Sequence, residues 1–438
     1  MSLFTKNLYS RTLSLVFTFF LLFSSCAGLK ISNIALGNGW SNNSVNTVIF
    51  RGKAVTTFEN IQFTAYYNEK GKMVLAKRKV GTENWEIKET PYSGNVKDAH
   101  NSISLAVDSD GYLHISWDQH NEPLRYVKST APFGLELTEE LPMTGLQEER
   151  VTYPEFQNLP DGKLLFLYRS GESGRGNLVI NSYDPVTGKW KQIQDNLIDG
   201  EEQRSAYWQT AVGPEGSLYL SWVWRETWDV STNHDMCFAV SHDGGKSWER
   251  SNGEKYELPI KAETAEIAWK INQNSSLINQ TSMTVSENSE PFITTYWETD
   301  GIPQYKVIFR MNGQWEMIDT NFHKEPFHLG GGGTKRIPIS RPVIFLKGNM
   351  ICLLFRDEEN DNRITLAKRT VNGNSWSRID LSEENLGQWE PNIDVELWKK
   401  NRKLHVFSQQ VIQVDGEGLT DIPPQPVKII EVKNIPLK

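Results

Sequence analysis

The sequence predicts an all-β chain folded as a single seven-bladed β-propeller, and three observations carry that reading. A strand–turn–strand unit recurs seven times, its turns spaced at or above the roughly 40–50 residues that one blade occupies. The aromatic load is heavy, with 15 Trp, 14 Tyr and 19 Phe beside 32 Gly; that suits short strands and tight turns. No stretch carries the 3.6-residue period of an amphipathic helix longer than about three turns. A pair of β-sandwich domains would satisfy the composition but not the repeat. No linker divides the chain.

Taken in order, residues 1–28 read as a targeting segment. Lys6 and Arg11 precede an apolar run from Leu13 to Phe23, and Ser24-Ser25-Cys26-Ala27-Gly28 follows. A charged start, a short apolar core and small residues make a secretory signal, too short to span a bilayer. Cys26 directly after the small residues resembles a lipobox, which implies lipidation of Cys26 and an exported lipoprotein of a Gram-negative cell envelope. Cleavage nearby without lipidation is the alternative. The propeller domain is then residues 29–438.

The seven hairpins are Ile61 to Arg78, Asp98 to His120, Phe156 to Arg169, Gln209 to Arg225, Met283 to Trp297, Val343 to Arg356 and Asp394 to Ser408. Each pairs alternating apolar runs across a polar turn. Outer strands ending in tryptophan lie between them, at Trp85, Trp190, Trp248, Trp315 and Trp376. Gly330 to Gly333 cannot hold a strand and reads as a flexible loop. Beside a ring axis it would be placed to touch a ligand. Cys237 and Cys352 lie in apolar runs and read as buried free thiols.

The second hairpin carries the chemistry. His100 stands ten residues before Asp110 and His120 nine after Gly111, so the two imidazoles meet at the hairpin's open end. His114, in mid-strand, reads as packed. Inner strands of a propeller aim their ends at one funnel, which gathers His100, Asn101 and His120 from one blade, Tyr153 and Arg169 from the next, and Arg204, Tyr207 and Arg225 from the third. The set is cationic and capable of acid–base work, and no Asp or Glu stands out among these strand ends. A glycosidase needs two carboxylates across the scissile bond. Elimination from a uronate needs a cation to neutralise the carboxylate, a base for the C5 proton and an acid for the leaving oxygen. The inventory fits elimination better.

His234, Cys237 and His242 form a loosely spaced zinc candidate, so any metal ligands stay unassigned. His323 and His328 carry no readable signal. The net charge of −8 argues against a nucleic-acid partner. Contact with a membrane is expected only through a lipid anchor.

Four stretches then stand out as familiar: GNGWSNNSVNTVIFR, NVKDAHNSISLAVDSDGYLHISWDQH, VTYPEFQNLPDGKLLFLYRSGESGRGN and AYWQTAVGPEGSLYLSWVWRET. With NHDMCFAVSHDGGKSWERSNGEKYELPI, INQTSMTV and GGGTKRIPISRP they resemble the BNR-repeat polysaccharide-acting propellers over nearly the whole mature chain. Within them Ser241 to Glu249 matches the Ser-x-Asp-x-Gly-x-x-Trp box, a structural brace of a hairpin turn. The family includes ulvan lyases, L-rhamnose-α-1,4-D-glucuronate lyases and an α-L-rhamnosidase branch, all acting at a rhamnose–glucuronate junction. The resemblance implies a polysaccharide lyase with an acidic rhamnose- and glucuronate-containing glycan as partner. It implies catalytic roles for His100, His120, Tyr153, Arg169 and Tyr207; Asn101, Arg204 and Arg225, gathered at the same funnel by their strand-end positions, are expected to bind substrate. No cofactor is implied for the chemistry, and calcium is a candidate structural ion. The rhamnosidase branch works from the opposite face with a histidine where TTFENIQF places Phe58, a departure that weakens the hydrolase reading. A non-catalytic glycan-binding propeller is the third reading.

Overall fold

A computed structural model describes residues 28–435. The targeting segment and Cys26 lie outside the described residues. Seven antiparallel sheets follow one another along the chain; their inner strands touch in turn from blade one to blade six, and the start of the blade-seven inner strand bonds to both neighbours, Glu390 accepting from Arg341 N and Asn392 from Ala54 N. These strands are Val55–Phe58, Ile103–Val107, Val151–Asn158, Ser205–Val212, Ser282–Val285, Val343–Lys347 and Asn392–Ile393. The fold is the expected seven-bladed propeller.

Six of the seven expected hairpins form. Five are the first two strands of their blades, as where Ser205 pairs with Arg225 and Val212 with Leu218. The Ile61 hairpin is the second and third strands of blade one, because Val55–Phe58 lies inside it. The seventh is a correction. Within Asp394 to Ser408 a helix, Val395–Asn401, replaces the expected strand and turn. Asp394 caps it, its Oδ1 accepting from Leu397 N at 3.0 Å, and Arg402 ends it with φ 53°. An acidic first turn and Lys399 and Lys400 at the other end also suit the helix dipole. Capping outweighs the short apolar alternation there. Lys399 Nζ reaches Val212 O of blade four at 3.1 Å, across the ring axis.

Blade seven closes the ring with both ends of the described chain. Lys30–Gly39 is its outermost strand and pairs with Gln425–Lys433, Lys30 opposite Lys433. The expectation of outer strands ending in tryptophan is corrected. Trp190 and Trp315 are the second residues of Lys189–Gln194 and Gln314–Asp319, and Trp85 and Trp376 directly precede Glu86–Ser93 and Ser377–Asp380. Trp248 lies outside any strand, the outer strand of blade four being Glu266–Trp269. Trp190 lies edge-on to Phe166 and His114, and Trp315 to Phe238. The Ser241 turn is braced as its motif implies: Asp243 Oδ1 accepts from Ser241 Oγ at 2.9 Å and from Ser247 N at 2.9 Å. Trp248 is fully buried beneath it. Cys237 and Cys352 are buried free thiols. His114 is buried too, bonded to Asp108 at 3.0 Å and to the Tyr126 hydroxyl at 2.7 Å.

Every inner strand runs from the same face of the ring to the other. Residues just before or at the strand starts therefore share one face: Phe50, His100, Tyr153, Tyr207, Asn279, Arg341 and Glu390. Phe58 ends its strand on the opposite face, its ring 6.0 Å from that of Phe133.

Candidate active site

The blade-two hairpin forms with Ile103 opposite Trp117. Its turn is held by Asp108, whose Oδ1 accepts from Asp110 N at 3.0 Å and Tyr112 N at 2.8 Å, and Gly111 takes φ 85°. His120 then leaves the hairpin. His120–Glu122 adds to blade three as an extra strand, with His120 opposite Thr152. The histidine thus belongs to the seam between blades two and three, one residue from Tyr153. Its ring stacks on that of His100, centroids 4.0 Å apart.

Asp98 holds the pair. His100 Nδ1–H donates to its Oδ1 at 2.8 Å and His120 Nδ1–H to its Oδ2 at 2.6 Å. Behind His100 stands Glu417, 3.2 Å from the same Nδ1. Glu417 also accepts from Ala99 N at 3.1 Å and Thr334 N at 2.9 Å. It ties the loop before blade two to the glycine-rich loop and to the loop of blade seven. The two histidines consequently differ. Burial alone would lower His100, but hydrogen bonds to Asp98 and Glu417 overcome it and raise His100 to about 9. Burial, and then the charge on His100, lowers His120 below the ordinary imidazole value. Burial would raise Asp98, yet both imidazoles hold it far below the usual carboxylate range. At neutral pH one ring is an imidazolium. The other is neutral, and with its Nδ1–H given to Asp98 its Nε2 lone pair is available as a base.

Tyr153 sits at a break in the blade-three ladder. The register slips between Thr152 and Glu155, and Tyr153 takes φ 58° before Pro154, which has no N–H to offer. A bulky residue in the left-handed region is strained, and such strain persists where the surroundings enforce it. The Phe50 and Tyr207 rings enforce it here, edge-on to Tyr153 at 5.2 and 5.9 Å.

Arg169 lies against both tyrosine rings, its guanidinium carbon 5.1 Å from the Tyr153 centroid and 5.9 Å from that of Tyr207. It is only 2% exposed. No described carboxylate pairs with it, its Nε has no partner, and its NH1 reaches the Tyr207 hydroxyl only at 3.5 Å. Arg225 stands on the other side of that hydroxyl at 3.4 Å, with Nε on Asn233 at 2.8 Å and NH2 on Asn279. Burial pushes Tyr207 up, but the Arg225 and Arg169 charges prevail and bring it to about 8. Burial, reinforced by Tyr207, drives Tyr153 well above the ordinary phenol value. The arginines thus depress Tyr207, while Tyr153 keeps its proton.

His100, Tyr153, Arg225, Asn279, Thr334, Lys335 and Arg341 line one cavity on this face. It combines the His100 imidazolium, a protonated phenol and further cations, while His120, Arg169 and Tyr207 pack against His100 and Tyr153 from outside that lining. The cluster as a whole offers an anion cationic partners, a proton acceptor in His120 and a proton donor in Tyr153.

The family comparison agrees with this architecture. The profile described as "BNR repeat-containing family member" matches residues 61–322, more than half of the sequence. The chain belongs to the BNR repeat-containing family. Within curated proteins it is similar to the short isoform of an ulvan lyase from Alteromonas sp. (strain LOR), 26% identical over 278 residues, 48% of this chain and 52% of that protein. The long isoform from the same strain is 27% identical over 270 residues, 48% of this chain and 27% of that protein. The matches thus span from about a quarter to about half of these relatives' lengths. Among solved structures, the polysaccharide lyase Uly1 superposes with a TM-score of 0.68 at 17% identity, covering 91% of this chain and 93% of the other. An ulvan lyase bound to -[GlcA(1-4)Rha3S]- superposes with a TM-score of 0.65 at 14% identity, covering 90% and 95%. At these identities the structures establish a shared fold.

Of the residues singled out in sequence, this BNR-family propeller brings together His100, His120, Tyr153, Arg169, Tyr207 and Arg225. Two do not join them. Asn101 turns to the Asn95 carbonyl at 3.1 Å, in a separate recess beside Asp118 and Arg125. Arg204 is taken by Glu226 at 2.8 Å and Glu201 at 3.1 Å; its charge is already met. The zinc candidate also comes apart: His234 bonds Glu226 and Asp235, His242 bonds Ser217, and Cys237 is buried in blade four. Two other groups bring ligating atoms within 4.8 Å of one another among the described residues: Asp98 with His100 and His120, and His323 with Asp357 and Glu359.

Sequence reasoning missed Asp98, Glu417, Phe50 and Arg341. The expectation that no carboxylate stands at the site is therefore wrong. Both carboxylates, however, are engaged by imidazoles and meet His100 at the same Nδ1; they do not face each other across the cavity. The signal for Asp98 was present as Asp-x-His, a spacing at which a carboxylate reaches the backbone N–H two residues on, as it does here at 2.8 Å. Glu417 carried no local signal.

Proposed function

We propose that this protein is a polysaccharide lyase that cleaves the rhamnose-α-1,4-glucuronate linkage of an acidic glycan by β-elimination. The observation that carries the reading is Arg169. A buried cation without a counterion is costly, and this one lies among two phenols beside a base. A uronate carboxylate is the partner that completes it.

Each step follows from the residues described. Arg169, with Arg225 and the His100 imidazolium nearby, neutralises the substrate carboxylate and so acidifies C5–H. His120 Nε2 accepts the C5 proton. Electrons from the broken C5–H bond form the C4–C5 double bond as the C4–O bond breaks. Tyr153, which keeps its proton, gives it to the departing oxygen. Asp98 fixes the tautomer of His120 and holds both rings, and Tyr207 sets the two arginines. Products are a 4,5-unsaturated uronate and a free hydroxyl on the leaving sugar. Ulvan and rhamnose-capped arabinogalactan both offer such a junction. The ulvan lyase relatives support the choice of an acidic, rhamnose-containing substrate.

The test is incubation with both polymers while following the ultraviolet absorbance of the unsaturated uronate, beside an assay for free rhamnose. Rising absorbance is expected. Saturated glucuronate with free rhamnose, and no absorbance change, would replace elimination with hydrolysis.

A further inference from the structure

Trp228 is 65% exposed, the one tryptophan among the large apolar side chains that the described residues leave in solvent. It sits three residues after Arg225, in the loop on the site face that joins the second and third strands of blade four, Leu218–Arg225 and Asn233–Ser241. A lone exposed apolar residue is ordinary on a protein surface, but the way this one is held is not. Its loop is pinned on the glycine run: Val230 N donates to Gly331 O at 2.9 Å, and Gly331 N to Asp229 Oδ1 at 2.8 Å. Asp229 in turn accepts from Ser231 N at 2.8 Å. At Gly332 a Cβ would lie 2.8 Å from Cε3 of the indole, closer than real side chains approach. The glycine therefore lets the backbone brace one edge of the ring. The next residues on both sides, Val230 and Gly333 to Lys335, line the cavity that holds His100, Tyr153 and Arg225.

An indole braced at its edge, open to solvent and placed at the lip of a cationic cavity offers what the apolar face of a sugar ring needs. We propose that Trp228 is a stacking subsite for a pyranose of the glycan chain beyond the reacting uronate, with the glycine loop as its support. This rests on the lyase reading and deepens it: the enzyme grips its substrate over more than the scissile disaccharide.

Binding of uronate-containing oligosaccharides of increasing length to the Tyr153→Phe protein, followed by indole fluorescence and by calorimetry, tests the subsite without turnover. Adding Trp228→Ala should weaken the longer oligosaccharides about tenfold, roughly one aromatic contact, and the disaccharide far less. Trp228→Phe should recover most of the loss, and it also controls for a loop that no longer folds. A loss equal at every length, or none at any length, overturns the subsite. Length-dependent loss in binding without any unsaturated product from the unsubstituted protein keeps the subsite and removes the lyase reading. If no uronate oligosaccharide binds, both fall.

Discussion

Two sets of buried arginines sit in the same ring and do opposite things. Arg51 and Arg356 are braces. Arg51 gives Nε to Ile103 O at 2.9 Å and its two terminal nitrogens to Asn46 O and Ala65 O. Arg356 spans to Trp389 O at 3.0 Å, Pro338 O at 2.9 Å and Ile337 O at 2.8 Å. Each fills its donors with carbonyls and stitches neighbouring segments together. Arg169, equally buried, has an unpaired Nε and one long bond to a phenol. Burial and residue type therefore do not separate structure from function in this propeller. Satisfaction does: the ring completes the braces and leaves Arg169 for something the chain does not supply.

The contrast can be attacked with substitutions. Tyr153→Phe removes only the proton donor and should lower kcat by about 10³-fold while substrate still binds; full activity would send the search to the opposite face around Phe58. Arg169→Ala should lower kcat by roughly 10²-fold with the melting temperature nearly kept, and Arg169→Lys should rescue poorly because a point charge does not reproduce the planar fork. A change confined to KM would make Arg169 a binder only. Arg356→Ala should show the reverse pattern, with about 3 kcal/mol lost from stability because buried carbonyls lose their donor, and KM of the folded protein kept. If Arg169→Ala destabilises as much as Arg356→Ala, the distinction between the two sets collapses.

A subtler test uses pH. Activity should fall on the acid side as His120 gains a proton, below the ordinary imidazole value because its pKa is lowered. It should fall on the alkaline side as Tyr207 and His100 lose theirs, through about 8 and about 9. Glu417→Gln removes one anion from behind His100 and should draw the His100 step down by about one pH unit. That steepens the alkaline limb and moves its half-point by a few tenths of a unit, because Tyr207 titrates first, leaving the acid limb nearly in place. An unmoved alkaline limb would mean that Glu417 only ties loops together.

Much of this was legible in the chain. Period-two alternation and turn residues gave six hairpins, and the spacing of His100 and His120 about Asp110-Gly111 put their rings at one end. The rest failed for physical reasons. In Asp394 to Ser408 a capping aspartate and a favourable charge pattern beat a weak alternation, which only capping chemistry would have revealed. Asn101 and Arg204 lie at the right ends of the right segments, but their side chains meet partners on their own side of the wall. Glu417 is 318 positions from the Ala99 amide that it accepts from. No local pattern reports such a contact, because the ring creates it.

The pairing of Lys30 with Lys433 also fixes when the site comes into being. The entropic cost of joining such distant segments rises only with the logarithm of the loop, but non-local pairing is slow. Six blades can assemble from neighbours as the chain emerges; the seventh waits for strands from both ends. Glu417 lies between Leu404–Ser408 and Gln425–Lys433 of that last blade. A chain whose ring is still open therefore holds the stacked histidines on Asp98 alone, without the second anion behind His100. The final clasp of the fold also completes the surroundings of the stacked histidines.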